Sequence, residues 1–155
     1  MQQEPNPDQP RFTISTAAER LGLSVQTLRK YESHGLILSA RNGGNQRRYS
    51  ESDLERVRCV HRAINEERVG IEGIKRMLSL VPCWVLIDCP VDERMACKAF
   101  TGASGPCWSL KHHGNICATA DCRACIVYRE TATCHSLKEL LRNNLSTSIH
   151  HELSL

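Results

Sequence analysis

Apolar and polar positions change period along this chain, and each change marks an element. In "FTISTAAERLGLSVQTLRKYESHGLI" apolar residues recur at helical spacing in two short runs. Ala17, Ala18 and Leu21 form the inner face of the first run, which Ser15 or Thr16 is expected to cap and Gly22 to end. Val25, Leu28 and Tyr31 form the inner face of the second, capped by Ser24. Helix, glycine turn and helix make the shape of a helix-turn-helix. In "ILSARNGGNQRRYS" the pattern changes: Ile37 and Leu38 read as a short strand, "NGG" as a hairpin turn, and "QRRY" as a basic strand with an aromatic anchor. That hairpin is a wing.

Helical periodicity then returns. "SESDLERVRCVHRAINEER" opens on a Ser50-x-x-Asp53 cap and is expected to bury Leu54, Val57, Val60 and Ile64, while "IEGIKRMLSL" is expected to bury Ile71, Ile74, Met77 and Leu78. Cys59 and His61 on the third helix read as structural residues, the cysteine as a small buried apolar group.

The polar face of the second helix carries the first chemistry. Gln26, Thr27, Arg29 and Lys30 lie opposite Val25 and Leu28, and their side chains suit base edges and phosphates in a DNA major groove. A basic hairpin beside such a helix can grip the phosphate backbone, which adds affinity with little sequence information.

From Thr13-Ile14 through "LGLSVQTLRKYESHGLI" to "RRYSESDL", residues 11–80 resemble the winged DNA-binding domain of the MerR family of bacterial transcription regulators. The resemblance implies a homodimer on a pseudo-palindromic site in double-stranded promoter DNA, with RNA polymerase contact as a further partner. Ser24 to Tyr31 would be the recognition helix, and Arg47, Arg48 and Tyr49 would lie in the wing. The DNA-binding set expected on this reading is Thr16, Ser24, Gln26, Thr27, Arg29, Lys30, Tyr31, Arg41, Asn45, Gln46, Arg47, Arg48 and Tyr49. Effector-sensing members continue into a long helix that pairs across the dimer, but here Pro82 and a cysteine-rich segment stand in its place. The later helix candidate is "SLKELLRNNLSTSI", with Leu137, Leu140, Leu141 and Leu145 on one face.

Composition sharpens the division. At 155 residues, 41% apolar and 24% charged, the chain has the make-up of a folded soluble protein. Its apolar runs fall well short of the roughly 20 residues that span a bilayer, and the polar start "MQQEPNPDQP" reads as a disordered tail, so no membrane partner and a cytoplasmic location are expected. Before Cys83 there are 13 Lys/Arg against 10 Asp/Glu, and from Cys83 onward 7 against 7, which places any basic surface in the first half. Eight of the 9 cysteines fall in the second. The expected domains are a tail at 1–10, a winged helix-turn-helix at 11–81, a cysteine-rich sensor at 82–134, and a short helix and tail at 135–155. The fold class is mostly α, a winged helix-turn-helix followed by a small metal-stabilised domain.

The cysteine segment repeats itself. "CWVL" at Cys83 matches "CWSL" at Cys107, Cys89 matches Cys117, and "ACKAF" at Ala96 matches "ACIVY" at Ala124. Each copy is Cys-Trp-x-Leu, a second Cys, then Ala-Cys-x-x-aromatic. Residues 83–128 also resemble the two-CW domain, a bacterial cysteine-rich segment appended to signalling proteins, which implies a separable, sensory module.

Thiols at Cys83, Cys89, Cys97, Cys107, Cys117, Cys122 and Cys125, with His112 and His113 nearby, form a soft donor set suited to zinc, copper(I) or an iron–sulfur cluster. The wide spacings and the bulky side chains Trp84, Trp108, Phe100 and Tyr128 favour an iron–sulfur cluster, with zinc as the alternative; Cys134 matches nothing in the first copy. An odd cysteine count with no export signal speaks for reduced thiols over a disulfide framework. Motifs for phosphate-cradling loops, serine hydrolases and zinc proteases are absent, and no enzyme is expected. The expected function is a DNA-binding regulator whose cysteine-rich domain senses metal or redox state. Its alternatives are a zinc-stabilised regulator without sensing and a redox or metal-handling module tethered to DNA.

Overall fold

A computed structural model describes residues 5–132, 134 and 138–143. It divides into two units, the first ending at Ile74 and the second beginning at Lys75.

In the first unit, α1 (Ile14–Leu21) and α2 (Val25–Ser33) pack together through Ala17, Ala18, Leu28 and Tyr31, all buried. The cap of α1 is Thr13, two or three residues earlier than expected: its hydroxyl accepts from the Thr16 amide at 3.2 Å, so Thr16 lies inside the helix. Three hydroxyl residues compete for that cap, and the one followed by the apolar Ile14 takes it. Ser24 caps α2 as expected, accepting from the Thr27 amide at 3.1 Å. Gly22 ends α1 at φ 66°, and no atom lies within 4 Å of where its Cβ would stand. Gly22→Ala therefore meets backbone strain without a clash, and should cost about 1–2 kcal/mol, read as a lowered unfolding midpoint of this unit.

The hairpin pairs β1 (Ala40–Arg41) with β2 (Arg47–Arg48), antiparallel in the register Ala40↔Arg48 and Arg41↔Arg47. The strand thus begins after Ile37 and Leu38; Ile37 is fully buried instead, as apolar fill under the hairpin's first arm. Asn42 shapes the turn, its side-chain oxygen accepting from the Gly44 and Gln46 amides at 3.1 and 2.8 Å. Asn45 adopts φ 58°, which an Asn tolerates. Beyond β2, Phe12 and Tyr49 exchange backbone hydrogen bonds, 2.9 Å each way, so the chain start is tied to the hairpin.

Ser50 and Asp53 form a reciprocal capping box on α3 (Glu51–Asn65), whose Leu54, Val57 and Val60 are buried and whose Ile64 is only half-buried. Residues 5–10 depart from the disorder expected of them: the Ser52 amide donates to the Pro7 carbonyl at 3.1 Å and the Ser52 hydroxyl to Asp8 at 2.7 Å. Residues 1–4 lie outside the described residues.

α4 (Ile71–Ser79) carries the unit boundary. Of the four residues expected to be buried on it, only Ile74 is; Ile71 and Leu78 are half-buried and Met77 is 41% exposed. A nine-residue helix at the end of a unit has core on one side only, so the apolar stripe outruns it.

The second unit is made of short turns of helix: α5 (Cys83–Leu86), α6 (Val91–Met95), α7 (Lys98–Thr101), a 3-10 turn at Cys107–Ser109, and α8 (Ile126–Glu130). The internal repeat is built into it. Pro82 and Pro106 precede the two Cys-Trp turns, and Cys97 and Cys125 cap the two helices that carry the aromatic partners. Trp84 meets Phe100 edge to face at 5.0 Å and 89°, and Trp108 meets Tyr128 at 5.1 Å and 88°. The second pair is the better buried, with Trp108 at 7% and Tyr128 at 4% exposure beside fully buried Val127 and Pro106. Residues 138–143 are helical with Leu140 buried; Leu137 and Leu145 of that candidate stripe lie outside the described residues.

Candidate nucleic-acid interface and thiol cavity

On α2, Gln26, Arg29 and Lys30 are exposed, and the Arg29 and Lys30 side chains have no partner among the described residues. Thr27 is half-buried with its hydroxyl 2.9 Å from that of Ser24, so both serve the cap before they serve any ligand. Arg41, Asn45 and Gln46 are exposed on the hairpin; Arg41 donates to the Asn45 carbonyl at 3.0 Å, and Arg48 to Gln46 Oε1 at 3.2 Å. Those contacts hold the loop while leaving its outer face open.

Two residues of the expected set are interior. Tyr31 is 3% exposed and its hydroxyl sits 2.9 Å from Nδ1 of His61, while Tyr49 is fully buried, where burial pushes its phenol up to about 12. Both face the core because an aromatic ring gains more by burial there than at a wet surface. Arg47 is also committed: its Nε–H donates to Glu32 of α2, whose other oxygen accepts from the Ser39 hydroxyl. This pair raises the Arg47 guanidinium further above its ordinary value. Glu32 was not singled out from the sequence, and Asn42 only as part of the "NGG" turn. A lone carboxylate on an otherwise basic helix is the signal for the first, and an Asn directly before two glycines for the second.

In the second unit five of the expected ligands converge. Cys83, Cys107, Cys117, Cys122 and Cys125 line one cavity together with Ile87, Trp108, His112, Val127 and Tyr128. Cys83 belongs to the first sequence copy and the other four to the second. All five are free thiols. The Cys107 S–H donates to the Cys83 sulfur, which draws the Cys83 thiol down to about 7 and raises that of Cys107. Burial pushes Cys117 up to about 11 and raises Cys122 as well. A Cys-x2-Cys turn is closed by the Cys125 amide on the Cys122 carbonyl at 3.2 Å.

Cys89 and Cys97 do not line this cavity. Cys89 is buried, which raises its thiol, and Cys97 faces His112 Nδ1 at 3.7 Å. His112 in turn donates from Nε2 to the Cys107 carbonyl at 2.8 Å, so Nδ1 is left as the acceptor for the Cys97 thiol. Cys59 is half-buried and, like Cys134, disulfide-bonded, against the expectation of a buried apolar group and of reduced thiols throughout. Partial exposure leaves its sulfur reachable, as full burial would not. Among the described residues no three His, Cys, Asp or Glu side chains close into a metal-binding arrangement, and no helix is long and apolar enough to cross a membrane.

α1 and α2, joined at Gly22 and capped by Thr13 and Ser24, form a helix-turn-helix with an exposed basic face on α2 and a basic hairpin after it. Residues 12–80 match the model of the MerR HTH family regulatory protein family, so this segment is similar to that family's helix-turn-helix domain. The chain is 42% identical over 73 residues to the putative heat shock protein HspR of Streptomyces coelicolor, covering 47% of this chain and 48% of that one. It is 40% identical over 69 residues to the transcriptional regulator HmrR of Rhizobium leguminosarum bv. viciae, covering 44% and 53%. To the mercuric resistance operon regulatory protein of Pseudomonas fluorescens it is 38% identical over 72 residues, covering 44% and 48%. The chain thus spans about half the length of the curated relatives it matches. No solved structure matches it.

Proposed function

We propose that this chain is a transcriptional regulator that binds double-stranded promoter DNA as a homodimer, through α2 and the hairpin as a wing, and that its cysteine-rich unit responds to metal or redox state. The DNA reading rests on the match over residues 12–80 together with the exposed, unpaired cations of α2. In this reading Gln26, Arg29 and Lys30 reach base edges and neighbouring phosphates, while Arg41, Asn45, Gln46 and Arg48 hold the backbone beside the groove. Tyr31 and Tyr49 act as scaffold, and Arg47 fixes the hairpin to α2. Arg29→Ala is expected to cost about 1–3 kcal/mol and to blur sequence preference, whereas Arg48→Ala weakens all sequences alike and lowers the salt slope by about 1. Binding titrations on a selected site and on random duplex at several salt concentrations measure both. Affinity and salt slope unchanged in both variants would remove the DNA assignment.

The sensor reading is carried by the convergence of five thiols on one cavity. Their donor chemistry fits a soft metal centre, and the surrounding Trp108, Tyr128, Ile87 and Val127 would limit solvent access. Cys83, Cys107, Cys117, Cys122 and Cys125 would hold it, an iron–sulfur cluster being the first assignment. Such a cluster supplies a redox-labile centre when bound. The chain's own part is to place these five thiols against an apolar wall, more than the four that a cluster needs, and to join both repeat copies through Cys83. Zinc is the second reading, favoured by the closed Cys122–Cys125 turn. One of the relatives is named for mercuric resistance, which supports metal response in this half of the proposal. An absorption spectrum with elemental analysis of anaerobically purified protein separates iron from zinc.

A further inference from the structure

We infer that the cysteine-rich unit carries a second ligand site, a cleft that binds a compact dianion. The cleft lies against the thiol cavity, shares His112 with it and encloses about 400 Å³. That volume is in the range of small-molecule pockets, roughly 300–1,000 Å³. Lys98 of α7 lines it, as do Lys111, His113 and Asn115 of the loop after the second Cys-Trp turn.

The electrostatics set the ligand class. No carboxylate lines the cleft, and neither Lys98 nor Lys111 has a partner among the described residues. Of the carboxylates close in sequence, Glu93 accepts from the Ile116 amide at 2.7 Å and Asp121 from the Arg123 amide at 3.0 Å, and neither these nor Asp92 lines the cleft. Asn115 gives its side-chain oxygen to the Cys117 amide at 3.0 Å, which leaves its NH2 as a donor. His112 has both nitrogens occupied, by the Cys107 carbonyl and the Cys97 sulfur, and acts as a wall. Two exposed cations without a partner among the described residues, with an amide donor beside them on one concave surface, attract a negatively charged guest of matching size. A phosphate ester and a small dicarboxylate share that chemistry, and a cation or an apolar ligand does not. The site stands whether or not the thiol cavity holds metal. Because His112 borders both, its occupancy would be felt at Cys97 and Cys107.

The test uses the full chain at low salt, titrated separately with inorganic phosphate and with succinate and followed by amide chemical shifts and calorimetry. Saturable shifts at residues 97–98 and 109–115 are expected. Lys98→Gln and Lys111→Gln should each weaken binding about tenfold and the double variant abolish it, while Lys98→Arg retains it. Arg29→Ala, in the other unit, should leave these shifts in place. Response to phosphate alone assigns a phosphorylated ligand, and response to succinate alone a dicarboxylate. Shifts confined to residues 11–49, no saturable response to either probe, or equal binding by the folded double variant would overturn the site.

Discussion

For the metal centre proposed above, serine in place of Cys122 or Cys125 is expected to lower metal content to about a tenth or less, while Cys89→Ser and Cys97→Ser leave it unchanged. The contrast follows from position, since the first pair lines the cavity and the second pair does not. Cys83→Ser is the informative variant of the set, because Cys83 is the one cavity thiol from the first sequence copy. Loss of metal in Cys83→Ser means a centre held jointly by both copies; retention means that the second copy suffices. Removing one thiolate from a four-coordinate site leaves a buried centre short of a ligand, and metal–thiolate binding is worth on the order of 10 kcal/mol, so the effect is large enough for elemental analysis alone. Metal that survives all five single substitutions at the cavity would sink the assignment.

Trp108→Ala should destabilise the cysteine-rich unit by about 3–5 kcal/mol, enough to unfold so small a module. Trp108 is 7% exposed, packs edge to face on Tyr128 and lines the thiol cavity, so its loss opens a void and a solvent path together. Trp84→Ala, at the equivalent point of the first copy, should cost markedly less, because Trp84 is half-buried and does not line this cavity. Thermal unfolding followed by near-UV circular dichroism reads the two variants side by side. Equal losses would mean that the copies contribute alike and that the cavity adds nothing to the second.

What the sequence disclosed, and what it hid, divides by the range of the interaction. Gly22, Ser24 and the Ser50–Asp53 box act within a few residues, and each is legible where it stands. The repeat was legible too, because its Cys-Trp and Ala-Cys elements return as paired turns with matching aromatic contacts. Thr13 was missed by a choice among neighbouring hydroxyls. The role of Glu32 was missed because Arg47 lies fifteen residues away, across a turn whose geometry no local pattern prescribes. The burial expected at Met77 failed for a related reason: periodicity says which face is apolar, but not where the supporting core ends. Among the cysteines, spacing gave the donor type; which five gather and which two stand aside depends on how several four- and five-residue helices stack.

The Glu32 clamp on Ser39 and Arg47 has a thermodynamic consequence. It ties the helix and the hairpin together before any nucleic acid arrives, so little of the binding free energy is spent on ordering the loop. Association should then carry only a small heat-capacity change from coupled folding, and the on-rate should be governed by charge steering rather than by the wait for a competent conformation.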